Sequence, residues 1–185
     1  MRNRSNAALF WPITVAVVAA DVVTKAIAER TLLRGIPREV VGDSVRLTLV
    51  YNPGAAFGLN LGAQSRWIFA ALTLVALAIL VRLYRTTRPA DAARVVALAL
   101  VCAGALGNLF DRVRSPFGVV DFLDVGLGDS RWPTFNVADM AVSVGAALLA
   151  WVLWQEDRAA RSVTAPLPSS VMPAAASGGE PGDLV

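Results

Sequence analysis

Four stretches of this chain are long and apolar enough to cross a bilayer, which fixes most of what it can fold into. They run over about Ala8–Ala28, Arg66–Leu83, Val95–Phe110 and Val137–Trp154. A hydrocarbon core needs about 20 apolar residues, and a shorter run suffices where it extends into flanking sequence. Backbone polar groups in lipid must be satisfied within the segment, so each stretch is predicted to be a helix. The third is the shortest, and its Ala103, Gly104, Ala105 and Gly107 suit close packing between helices. With 185 residues, 56% of them apolar, the chain is too hydrophobic for an ordinary soluble domain. It is also too short for more than one compact unit. Arg2 and Arg4 ahead of an apolar run, with Val18-Ala19-Ala20 behind, have the outline of a cleavable signal peptide. Val22, Val23 and Ile27 extend that run to spanning length, so the first helix is read as retained. The expected fold class is mainly α: a polytopic membrane protein of four transmembrane helices, with a small extramembrane β-sheet between the first two.

Composition removes several kinds of chemistry. The chain has no histidine and a single cysteine, Cys102, inside the third span. No disulfide within the chain, no usual zinc site and no histidine-based triad is available, and Cys102 is read as buried packing. The net charge of +3 comes from arginines flanking the spans. No basic block is interleaved with aromatics, so nucleic acid is not an expected partner.

The connections carry the polar residues. Pro12 is expected to kink the first helix, and Asp21 and Lys25, four apart, share a face and can pair. In the loop of about 37 residues from Glu29 to Ser65, Val45, Leu47, Leu49 and Tyr51 alternate with more polar positions. That period of two reads as a strand, ending in the turn signal Asn52-Pro53-Gly54. A basic connector, Arg82–Arg94, joins spans two and three, and a polar loop, Asp111–Asn136, joins three and four. The last 25 or so residues, rich in Ala, Pro, Ser and Gly, read as a disordered tail, 160–185, after a membrane domain over 1–159. Basic residues divide eight against nine between the two sides, so the positive-inside rule does not orient the chain by count. The dense Arg82–Arg94 connector favours termini inside.

Against this background the acids stand out. Carboxylates near hydrocarbon cost about 2.5–3.5 kcal/mol each at a helix centre and are kept for a reason. Asn108, Asp111 and Arg112 share a face at the end of the third helix with Gly104. Asn136, Asp139 and Ser143 share a face of the fourth, and Asp121 lies between the two helices in Val119–Phe122. If the loop folds back, Asp121 and Asp139 meet at the membrane boundary. Two carboxylates in a low-dielectric site do not both ionise easily, so one keeps a proton while the other activates water. That chemistry cleaves a peptide bond with no metal or cofactor. Structural readings stand beside it: Asp139 as a first-turn helix acid, Asp121, Asp124 and Asp129 as solvated loop acids, and Asp111 and Arg112 pairing with each other or with loop backbone. Rival functions are a small transporter using the acids as a proton relay, and a non-catalytic assembly subunit. A Ser/Lys dyad on Lys25 has no serine with a local signature.

Five segments in this order resemble the bacterial lipoprotein signal peptidase family, signal peptidase II. They are Asp21–Lys25, Asn52–Gly58, Gly104–Arg112, Val119–Phe122 and Phe135–Asp139. The resemblance covers about residues 8–155 and implies a membrane aspartic endopeptidase that removes signal peptides from diacylglyceryl-modified prolipoproteins, just before the lipidated cysteine. By motif it implies catalytic Asp121 and Asp139. It implies that Asn52, Gly54, Asn108, Asp111, Arg112 and Asn136 line the site or position substrate, and that Asp21 and Lys25 support it. It further implies an inner-membrane enzyme with both termini cytoplasmic and the site near the outer leaflet; its expected partners are prolipoprotein substrates and membrane lipid, and it is expected to be monomeric. Sensitivity to globomycin-class cyclic peptides follows from the same resemblance.

Overall fold

The computed structural model describes residues 4–54, 61–62 and 64–164. Ala55–Gly58 of the turn motif and the tail beyond 164 lie outside the described residues. Four helices, α1 (Arg4–Thr31), α2 (Ser65–Thr86), α3 (Ala92–Arg114) and α4 (Val137–Thr164), are each long and apolar enough to cross a membrane. The expected spans fall inside them, each helix running on into flanking polar residues. Pro12 sits within α1 without ending it. Its missing N–H costs an i→i−4 bond, but the helix has about two or more further turns on either side over which to hold.

The chain divides into two compact units, residues 1–152 and 153–185. In the second, the described residues are the polar end of α4, where Arg161 pairs with Asp157 at 2.8 Å and Arg158 lies over the Trp154 ring. Residues 160–164, whose composition resembles the tail, are helical.

In the first unit α3 is the central helix: 44% of its apolar stretch is buried, against 11–22% for the others. Small residues make this possible. A Cβ on Gly104 would overlap the Ala138 carbonyl oxygen, and one on Gly107 would lie 2.5 Å from Asp21 Oδ2. Backbone therefore approaches backbone where α3 meets α4, and α1 reaches α3 through a carboxylate. Phe10, Leu80, Val95, Leu98, Ala99 and Cys102 form an apolar cluster at one end of the bundle. Most large apolar side chains elsewhere point outward, among them Val15, Leu72, Val75 and Ile79. Lipid supplies the solvent that such a surface needs.

The β-sheet corrects the expected placement. It has four antiparallel strands in the order β1 (Arg38–Val41), β2 (Val45–Asn52), β3 (Val119–Leu127) and β4 (Ser130–Arg131). Only β1 and β2 come from the connection between α1 and α2. The other two are built from Asp111–Asn136, expected above to be a polar loop. β3 is hard to see in the sequence because its residues are buried on both faces at its start. That removes the polar/apolar alternation that marks a half-exposed strand. Ala28 and Leu32 of α1 pack with Leu49, Val120 and Phe122, seating the sheet on the end of α1. Gly118, at φ +97°, lets β3 begin against β2, where a Cβ would overlap the Asn52 carbonyl oxygen. That left-handed backbone and that contact together require glycine.

Candidate active site

The pairing of β2 with β3 sets Val50 opposite Asp121 and Asn52 opposite Val119. Asn52 then reaches along the sheet, its Nδ2 donating to Asp121 Oδ2 at 3.3 Å. The Gly54 N–H donates to Asn52 Oδ1 at 3.0 Å, an Asx turn that fixes which end of the amide faces the carboxylate. Arg112 holds the same turn by donating to Gly54 O at 3.0 Å, and it also donates to Asn108 O at 3.3 Å. Arg112 thus bonds loop and helix backbone rather than Asp111.

Asp139 lies in the first turn of α4. Its N–H donates to Asn136 Oδ1 at 2.9 Å, while the Asn136 N–H donates to Asp139 Oδ2 at 3.2 Å. This reciprocal cap satisfies two orphan donors of the helix start. The structural reading of Asp139 as a first-turn acid therefore holds, and the same residue also lines a cavity. Its other oxygen, Oδ1, accepts from Asn108 Nδ2 at 2.8 Å.

Asn136 joins the two acids. Its Nδ2 reaches Asp121 Oδ1 at 2.7 Å and, at 3.2 Å, both Val120 O and Asn108 Oδ1. Asp121 is buried rather than a solvated loop acid. Burial first, and then the negative charge of Asp139, push its carboxyl up to about 7, while the Asn52 and Asn136 donors pull the other way. The two acids thus differ in surroundings: one on a buried stretch of strand, the other at a helix N-terminus.

Behind this layer Lys25 is buried, with Nζ 2.8 Å from Asp21 Oδ2, 2.8 Å from Asp111 Oδ2 and 3.0 Å from Asn108 Oδ1. The expected Asp21–Lys25 pair is present, and Asp111 is its second carboxylate. Each acid also accepts a backbone N–H: Asp21 from Ala138 at 2.9 Å and Asp111 from Val120 at 3.2 Å. The cluster therefore ties α1, α3, β3 and the start of α4 together.

A cavity of about 820 Å³ opens in front of the acids. Asn52, Asn108, Arg112, Asp121 and Asp139 supply polar lining. Gly54, Asp111, Asn136, Asp21 and Lys25 stand behind its wall and act on it through the bonds above. Sequence reasoning misses the apolar lining, which includes Tyr51, Trp132, Phe135, Met140 and Val144. The signal available is Trp132-Pro133-Thr134-Phe135, an aromatic stretch in a nominally polar loop. Asp124, expected to be solvated, is buried, bonded to Arg131 Nε at 2.5 Å and to Thr48 Oγ1 at 3.0 Å. Asp129 is exposed, as expected. An apolar cavity with a few converging polar groups suits a ligand that is mostly greasy and polar at one point. A transmembrane proton relay would instead set its acids deep in the spans, whereas Asp121 is on a strand and Asp139 at the very start of the fourth span.

The family model described as signal peptidase (SPase) II matches residues 13–155. A lipoprotein signal peptidase of Geobacter metallireducens is 40% identical over 158 residues, covering 84% of this chain and 96% of that protein. One from Ectopseudomonas mendocina is 41% identical over 153 residues, covering 80% and 89%. A bacterial membrane enzyme solved by the in meso method at 2.3 Å superposes with a TM-score of 0.76 at 33% identity, over 85% of this chain and 94% of that one. A second such enzyme, solved at 1.9 Å, gives a TM-score of 0.68 at 36% identity, over 76% and 89%. With four apolar helices, a matching fold and a family match over most of its length, this chain belongs to the signal peptidase II family and is a multi-pass membrane protease of the aspartic type.

Proposed function

We propose that the protein removes signal peptides from diacylglyceryl-modified prolipoproteins, cutting just before the lipidated cysteine, with Asp121 and Asp139 as the catalytic pair. The observation that carries this reading is that both carboxylates line one cavity and share Asn136 as a hydrogen-bond partner. In the resting enzyme Asp121 holds the proton of the pair, in keeping with its burial.

Asp139 takes a proton from water as the water oxygen bonds to the peptide carbonyl carbon. Asp121 gives its proton to the carbonyl oxygen, producing a neutral gem-diol. The C–N bond then breaks as Asp139 passes its proton to the departing nitrogen and Asp121 regains one from a gem-diol hydroxyl. Protons balance and the pair returns to its starting state. Proton transfer of this kind contributes about 10²–10⁴-fold for each positioned group. Every step is a proton transfer, an addition or an elimination, so neither metal nor cofactor is called on. Asn52 and Arg112 line the same cavity and are suited to hold substrate backbone.

The apolar lining of the cavity suits acyl chains and the hydrophobic stretch of a signal peptide. The enzyme acts as a monomer surrounded by lipid. The protein sits in the bacterial inner membrane with both termini cytoplasmic and the site near the outer leaflet.

The test is purified protein in lipid nanodiscs, given a prolipoprotein with and without the diacylglyceryl group, with products read by mass spectrometry. Cleavage at the bond before the modified cysteine, on the lipidated substrate only, is the expected result. No cleavage, or cleavage at another bond, overturns the reading.

A further inference from the structure

We propose that Lys25 is a positioning residue for catalysis, holding the Asn108 amide in the one orientation that presents a donor to Asp139. The inference rests on the aspartate-pair reading above and assigns Lys25 a task beyond structural support. An asparagine amide is nearly symmetric in shape, so its partners alone decide which end points where. A lysine ammonium can only donate. With Nζ 3.0 Å from Asn108 Oδ1, it requires the oxygen on its side, and Nδ2 is left to reach Asp139 Oδ1 at 2.8 Å. Asn136 Nδ2, 3.2 Å from the same oxygen, enforces the same orientation.

The alternative orientation would turn the Asn108 oxygen toward a carboxylate oxygen and its NH2 toward an ammonium. Both contacts are repulsive, and the site is buried, where such errors are costly. Lys25 itself is pinned by Asp21 from its own helix and by Asp111 from α3. Arg114 lies 3.6 Å from Asp111, and Asp121 on β3 feels the Lys25 charge. Asp139 in turn faces Asn108 and the charge of Arg112 from α3, and Asn136 and Asp121 from its other sides. Lys25 stands behind the cavity wall, and Asn108 is the link through which it acts on Asp139.

The charge-compensated variant Lys25→Met/Asp111→Asn keeps the cluster's net charge at minus one while removing the donor. We expect kcat on the lipidated substrate to fall about ten- to a hundredfold, as for other partners that orient a reacting group, with KM within about twofold. In an Asn108→Ala background the same substitutions cost less than about twofold more. Unchanged kcat, a rise in KM that accounts for the whole loss, or a full multiplicative loss in the Asn108→Ala background overturns the proposal. If thermal unfolding shows that this double variant does not fold, Lys25→Met/Asp21→Asn removes the same donor at the same net charge, and the same two results decide the matter. An active Asp139→Asn enzyme would remove the aspartate pair and this proposal with it. An inactive Asp139→Asn enzyme beside a multiplicative cycle removes this proposal alone.

Discussion

Asp121 and Asp139 carry the same functional group into unlike surroundings, and the difference has consequences for stability as well as catalysis. Asp121 titrates at about 7 in the fold against 3.8 ordinarily, so between those values the folded state holds the extra proton. The resulting stabilisation is present at low pH and lost as pH rises through about 7. Asp121→Asn removes that titration, and the fall in unfolding temperature from acidic to mildly alkaline pH is therefore smaller in this variant than in the natural protein. Equal falls would contradict the buried, protonated state. Burial also separates the ion pairs. Asp21→Ala leaves Lys25 and the Ala138 N–H short of a buried partner and costs about 3–5 kcal/mol. The exposed Asp157–Arg161 pair contributes at most about 0.5 kcal/mol, so Asp157→Ala leaves the unfolding temperature nearly unchanged. The acids were legible in the sequence because charge beside hydrocarbon is rare, and Asp21 with Lys25 because residues four apart share a helix face. The Lys25–Asp111 and Asp124–Arg131 pairs were not, since each joins residues that only the tertiary fold brings together.

Helix spacing is set by what is missing. Where α3 meets α4 the absent Cβ of Gly104 leaves room for a backbone carbonyl, which cannot move aside as a flexible side chain can. Gly104→Leu therefore separates α4 from α3, destabilises by about 1–3 kcal/mol or more and withdraws Asp139 from Asn108. Loss of cleavage together with a lowered unfolding temperature is the expected outcome, and a fully active variant would contradict the packing. Gly118→Ala acts at the other acid: it strains a positive φ and pushes Asn52 away from β3, so activity falls even where the helices remain packed. The helices and β2 were readable because apolar run length and period-two alternation are local signals. The pairing of β2 with β3 was not, because it joins segments far apart in the chain and β3 lacks the alternation. The small-residue run in α3 announced close packing, though not which neighbour it would meet.

For the whole molecule, the outward apolar side chains and the polar network behind the cavity divide the work between lipid and protein. Lipid covers the helices, while the sheet and the start of α4 hold the acids at one end of the bundle. With the proposed topology, a cysteine placed by Asp129→Cys in a Cys102→Ala background reacts with an impermeant maleimide from outside the inner membrane. One placed by Arg88→Cys reacts only after the membrane is opened. The reverse pattern would invert the orientation, which charge counts along the chain left undecided because basic residues are nearly even on the two sides.

Single-turnover cleavage of a diacylglyceryl prolipoprotein by Asp121→Asn and by Asp139→Asn tests the shared-proton mechanism most directly, with unfolding temperature measured on the same samples. Both variants should lose about a thousandfold or more in rate at every pH while remaining folded. A folded variant of either kind that cuts at the natural rate would contradict it.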